Sequence, residues 1–75
     1  MLKLYSTEHC TLCEQAMDRL LSMPELAGLA LEVVDVALDD TLTERYGERL
    51  PVLVVQGQEL NWPFDEARLV DLVSG

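Results

Sequence analysis

The hydrophobic and polar positions divide the chain into seven short segments. Leu2 to Tyr5 predict a strand, followed by polar residues Ser6-Thr7-Glu8-His9. Cys13, Ala16, Met17, Leu20 and Leu21 then recur at intervals of three and four, with Glu14, Gln15, Asp18, Arg19 and Ser22 between them, which is helical spacing. Thr11 and Glu14 fit a capping box, so the helix is expected to open at about residues 10–12. Pro24 marks its end. Leu29 to Val36 predict a second strand after an Ala27-Gly28 turn. Two strands flanking a helix predict a parallel βαβ unit with a right-handed crossover.

Asp39, Asp40 and Thr41 offer caps for a short second helix. Thr41 and Glu44 form another capping-box pattern, and Gly47 closes the segment. Val52-Leu53-Val54-Val55 is the clearest strand pattern. Gly57-Gln58 predicts a two-residue type II′ turn into Glu59–Trp62, a pairing that Pro63 ends. Asp65 is placed to cap a last helix with Leu69, Val70, Leu72 and Val73 on its apolar side. The order βαβ-α-ββ-α predicts an α/β fold with one four-stranded mixed sheet flanked by helices, in a single domain over residues 1–75.

Length and charge narrow the functions open to such a fold. Seventy-five residues leave a thin core and no room for a separate cofactor domain. With 49% hydrophobic residues the chain is composed like a folded protein rather than a disordered one. Five Lys and Arg against fourteen Asp and Glu give a formal net charge of −9. Such a surface repels phosphate backbones and anionic lipid, which argues against nucleic acid and membrane as partners. The first residues, Met1 to Ser6, lack a basic run leading into a long apolar stretch, and no apolar run approaches a membrane span. A cytoplasmic monomer is expected, in a compartment where thiols are mostly reduced.

The two cysteines, Cys10 and Cys13, form a C-x-x-C motif where the first strand gives way to the first helix. Helix N-termini carry unpartnered N–H groups and a partial positive charge, which stabilise a thiolate. Two cysteines three apart on one turn can also close a disulfide. Cys13 falls on the apolar stripe and is expected to be the more buried. Cys10 precedes the stripe and is expected to face solvent, attack a substrate disulfide and leave Cys13 to resolve the adduct. Three other readings compete: a pair of buried structural cysteines, a structural disulfide, and a metal site. For zinc the chain offers only two Cys and His9. An iron–sulfur cluster would have to be bridged between two chains and completed by external thiols.

With these segments in order, the sequence resembles the glutaredoxin branch of the thioredoxin superfamily, and in particular its short bacterial members. The resemblance covers essentially the whole chain. Leu2-Lys3-Leu4-Tyr5-Ser6 followed by His9-Cys10-Thr11-Leu12-Cys13 matches a first strand running into a redox loop. Val34-Asp35-Val36 is similar to the second-strand signature, and Tyr46 to Leu53 to the approach to the third strand. The resemblance implies a cis bond before Pro51, facing the redox pair. It implies that the backbone of Leu50 is exposed to pair with an extended substrate, with no proline N–H near the sulfurs. From the residues alone, Pro51 would simply start a strand.

The chain departs from the family pattern in places. Thr11 and Leu12 replace the proline and aromatic usual between the cysteines. The stretch Thr7-Glu8-His9 lacks the basic residue of a glutathione site. The paired glycines that hold the γ-glutamyl end are missing from Asn61-Trp62-Pro63-Phe64-Asp65, although Asp65 remains to meet an ammonium. Together with the net charge of −9, these departures argue against efficient glutathione binding. The dithiol chemistry itself needs no cofactor and no metal.

Other residues change this picture less. His9 is placed to stabilise or deprotonate the thiol, or to sit in solvent. Glu8 and Glu14 oppose a very acidic Cys10, since nearby negative charge raises a thiol pKa. Tyr5 and Trp62 either line a groove at the redox pair or cover the core. Phe64 is expected to staple the last helix. Arg45 and Arg49 flank the approach to Pro51 and are expected at the solvated surface.

The sequence therefore predicts a thiol–disulfide oxidoreductase acting on a protein or small-molecule disulfide, supplied by a thioredoxin- or glutathione-system reductant. The alternatives are a non-catalytic adaptor module on the same fold, or an iron–sulfur or metal carrier bridged between two chains.

Overall fold

The computed structural model describes residues 2–74. Its strands are β1 (Leu2–Ser6), β2 (Leu31–Asp35), β3 (Val52–Val55) and β4 (Gln58–Asn61), and its helices are α1 (Thr11–Ser22), α2 (Asp40–Tyr46) and α3 (Glu66–Ser74). Short 3-10 turns at Pro24–Leu26 and Val36–Leu38 follow α1 and β2. The strands form one sheet in the order β2-β1-β3-β4. β1 runs parallel to β2 and antiparallel to β3, and β3-β4 is an antiparallel hairpin. This is the four-stranded mixed α/β architecture expected from the element order, and the thioredoxin-like fold that the resemblance implies.

Strand alternation divides the side chains between two faces. Leu2 and Leu4 of β1, Leu53 and Val55 of β3 and Leu60 of β4 point to the main core, where they meet Ala16, Leu20, Phe64 and Leu69. Val52 points the other way, with Val36 and Tyr46, and Tyr5, Leu42 and Leu50 complete that smaller cluster. Helices α1 and α3 therefore cover one face and α2 the other. Leu4, Leu53 and Leu69 are fully enclosed at the centre.

Several local expectations need correction. The Thr11–Glu14 capping box does not form. The cap is Cys10, whose sulfur accepts the N–H that a capping hydroxyl would take, and Thr11 is the first helical residue. In α2 the cap is Asp39, one of the caps expected there, and the Thr41–Glu44 box is not used. Asp39 Oδ1 accepts from the N–H groups of Thr41 at 2.8 Å and Leu42 at 3.3 Å, so a single carboxylate satisfies two orphan donors. β2 is shorter than expected. Asp35 Oδ1 accepts from Ala37 N–H at 2.9 Å and turns the chain out of the strand, leaving Val36 free to enter the smaller core.

The hairpin turn is Gln56-Gly57, not Gly57-Gln58. Both residues have positive φ, 53° and 76°, as a type I′ turn requires. Val55 then pairs with Gln58 and Leu53 with Leu60. Both registers put Leu60 on the core face, so alternation alone could not choose between them. The observed one sets Leu60 directly across from the enclosed Leu53. It also lets Trp62 leave the strand, and the Trp62-Pro63 bond is cis.

Candidate redox site

The site is built where β1 hands over to α1. After Ser6 the chain turns through Thr7-Glu8-His9, and His9 takes a left-handed conformation with φ 58°, which histidine adopts more readily than most residues. Cys10 is then extended, with φ −105° and ψ 100°, and stands as the N-cap of α1. Its Sγ accepts a hydrogen bond from Cys13 N–H at 3.1 Å, while its carbonyl accepts from Glu14 N–H at 3.1 Å.

Cys10 and Cys13 are joined as a disulfide, with Cα atoms 5.2 Å apart. The two sulfurs are not equivalent. Cys13 is 6% exposed, on the stripe with Ala16 and Leu20, whereas Cys10 is half-buried. Leu12, between them, is 48% exposed beside the bond.

A cleft of about 310 Å³ opens next to the disulfide. Its walls are the 6–10 loop, including Glu8 and His9, and the first two turns of α1, including Glu14, Met17 and Asp18. His9 therefore joins both cysteines at one surface, on an exposed loop. Glu8 and Glu14 were expected near Cys10, whereas Met17 was read only as part of the apolar stripe and Asp18 only as a polar position between its members. The signal available there was the Glu14–Asp18 row, one turn apart on the helix that begins at the motif.

Leu50 and Pro51 reach the same end of the sheet by register. Tyr5 lies opposite Val52, so the next step along both strands brings Ser6 level with Pro51. Pro51 is fully buried, Leu50 is half-buried, and the bond between them is cis. Neither lines the cleft. Asp65 follows β4 at that end as well, because Asn61 pairs with Val52. Its Oδ1 accepts from Arg68 N–H at 3.3 Å and its carbonyl from Leu69 N–H at 2.9 Å. Asp65 thus caps α3 and stands outside the cleft.

Both aromatics considered for a groove go to cores instead. Tyr5 stacks on Tyr46, ring centroids 4.4 Å apart. Trp62 packs on the main core and meets Phe64 edge-on at 5.2 Å. Arg45 and Arg49 both lie over the Tyr46 ring, at 5.5 and 5.2 Å. Arg49 also reaches Glu59 at 3.4 Å. Tyr46 Oη donates to Glu59 Oε2 at 2.7 Å. That bond, with burial, holds the Tyr46 hydroxyl above its ordinary pKa. The same bond, helped by Arg49, holds the Glu59 carboxyl below its ordinary range.

The chain is thus a thioredoxin-like domain with a C-x-x-C disulfide at the start of its first helix. It belongs to the family described as glutaredoxin-like domain (DUF836), whose model matches residues 1–74. It is similar to the X-ray structure of the X. campestris protein XcR50, with 37% identity and a TM-score of 0.79, over 99% of this chain and 96% of that one. The solution structure of XcR50 is similar at 38% identity and a TM-score of 0.75, over 97% and 91%. No curated protein matches the chain. Among the described residues, no three His, Cys, Asp or Glu side chains are gathered so as to hold a metal ion, and no helix is long and apolar enough to cross a membrane.

Proposed function

We propose that the chain is a thiol–disulfide oxidoreductase in which Cys10 attacks and Cys13 resolves. The observation that carries this reading is the asymmetry of the pair: a half-buried sulfur at the helix cap and an enclosed one behind it. In the dithiol form, the helix N–H groups and dipole at residue 10 favour the Cys10 thiolate. That thiolate attacks one sulfur of a substrate disulfide, and the other sulfur departs as a thiolate and takes a proton. Cys13, deprotonated, then attacks Cys10 Sγ. The intramolecular disulfide forms and the second substrate thiol leaves. Two electrons and two protons pass to the substrate, and an external dithiol or thiol of a thioredoxin or glutathione system restores the pair. All the electrons reside on sulfur, so the cycle needs no cofactor.

Leu50, level with the site by register, is the backbone segment proposed to pair with an extended substrate. His9 is the side chain proposed to meet the substrate beside Cys10.

A redox titration of the Cys10–Cys13 couple, read by mass spectrometry, tests the chemistry. Cys13→Ser is expected to accumulate a mixed disulfide at Cys10, and Cys10→Ser to accumulate none. Alkylation of Cys13 before Cys10 in the reduced protein would reverse the assigned roles.

A further inference from the structure

The cleft beside the disulfide is lined by acidic side chains. Three exposed carboxylates, Glu8, Glu14 and Asp18, line the same cleft as Cys10 and Cys13. Glu14 and Asp18 stand one turn apart on α1, an arrangement of like charges that weakens a helix unless something opposes it. No Lys or Arg lines the cleft.

All five Lys and Arg side chains are engaged elsewhere. Lys3 pairs with Glu32 at 3.5 Å, Arg19 with Glu66 at 3.9 Å and Arg49 with Glu59 at 3.4 Å. Arg45 lies over Tyr46, and Arg68 donates to Gln58 Oε1 at 2.9 Å. None of these five side chains lines the cleft beside its carboxylates. Metal does not account for the carboxylates either, because among the described residues no such group is gathered to hold an ion. Met17, half-buried, adds apolar surface, which suits the aliphatic stem of a lysine or arginine whose charged end stays wet.

We infer that the preferred substrate is a cationic disulfide, a peptide or small molecule with an ammonium or guanidinium close to its sulfurs. Anionic disulfides such as oxidised glutathione are disfavoured. This rests on the oxidoreductase reading above and names the substrate class of that same site. Attraction in the cleft raises the local concentration of the cation and the rate at which it meets Cys10. The chemical step is the same thiol–disulfide exchange, with electrons supplied by the dithiol.

The test uses the protein reduced with dithiothreitol and freed of it. Single-turnover exchange is followed at fixed pH with cystamine (cationic), hydroxyethyl disulfide (neutral) and dithiodiglycolate (anionic). Each rate is divided by that of dithiothreitol with the same disulfide, which removes the disulfides' intrinsic reactivities. At low ionic strength the normalised preference for cystamine over dithiodiglycolate is expected to be about ten-fold or more. In roughly 0.5 M sodium chloride it is expected to fall close to parity.

The combined variant Glu8→Gln, Glu14→Gln, Asp18→Asn is expected to lose most of the preference at low salt. Glu25→Gln, Glu44→Gln, Asp71→Asn makes the same change in net charge outside the cleft and is expected to keep it. Equal loss in both variants would overturn the role of the cleft. A wild-type preference near parity, with hydroxyethyl disulfide still reacting, would overturn the cationic substrate and leave the redox reading standing. No exchange with any of the three disulfides would overturn both.

Discussion

Tyr46 and Glu59 join α2 to β4 across the sheet through one hydrogen bond of 2.7 Å between the phenol and the carboxylate. Arg49 closes the same group, donating from Nη2 to Glu59 and from Nε to the Arg45 carbonyl at 3.4 Å each. Its N–H also donates to the Tyr46 carbonyl at 2.8 Å. Residues 46–49, which lead into Leu50-Pro51, are thereby tied to both the helix and the hairpin. Tyr46→Phe keeps the stack on Tyr5 and loses the hydroxyl. It is expected to lower the unfolding free energy by about 1 kcal/mol, read from urea midpoints at neutral pH.

The same bond sets a pH window. Glu59 has its folded pKa depressed, so its contribution is fully present above the ordinary carboxylate pKa and is lost as pH falls through the depressed value. Tyr46 has its folded pKa raised, so its contribution is fully present below about pH 10 and is lost as pH rises through the raised value. Urea midpoints against pH are expected to show a plateau between these limits. Tyr46→Phe should flatten the alkaline decline. An unchanged alkaline limb would show that the hydroxyl is not its source.

Cys10 caps α1 through its sulfur. In the reduced protein Cys10→Ser retains an acceptor at that point, while Cys10→Ala removes it. Under reducing conditions Cys10→Ala is expected to be less stable than Cys10→Ser by about 0.5–2 kcal/mol in thermal unfolding, the usual range for a lost cap. Equal stability of the two would mean that the sulfur is no cap once the disulfide opens.

Gly47 ends α2 with an ordinary helical φ of −52°. It is therefore glycine for space rather than for a left-handed turn. A Cβ there would stand 2.5 Å from the carbonyl oxygen of Thr43. Gly47→Ala is expected to cost about 1–3 kcal/mol, as overpacking does, measured by chemical denaturation. A neutral or stabilising effect would show that the end of α2 shifts freely.

Helical spacing from Cys13 to Leu20 is a local property of the chain, as are the βαβ order, the position of the redox motif and the unequal burial of its sulfurs. All of these could be read directly. The caps were read less well, because several adjacent residues could satisfy the same orphan N–H groups. At Cys10 a sulfur took the place expected of Thr11, and at Asp39 a carboxylate took the place of a reciprocal box. Tyr5 and Trp62 were ambiguous for a different reason. An aromatic at a strand end can face either way until the opposite element is known, and here Tyr46 and Phe64 drew them into packing.

By itself the sequence determined an α/β element order with Cys10 and Cys13 at the head of a helix, because periodicity and strand composition act over a few neighbours. Tertiary structure alone decided the hairpin register, since two registers of equal parity both put Leu60 on the core face. It also brought Pro51 level with Ser6, assembled the Tyr46–Glu59–Arg49 group, and gathered Glu8, Glu14 and Asp18 around one cleft that no Lys or Arg side chain lines. Each of these depends on contacts between segments distant in sequence, and only the folded sheet fixes them.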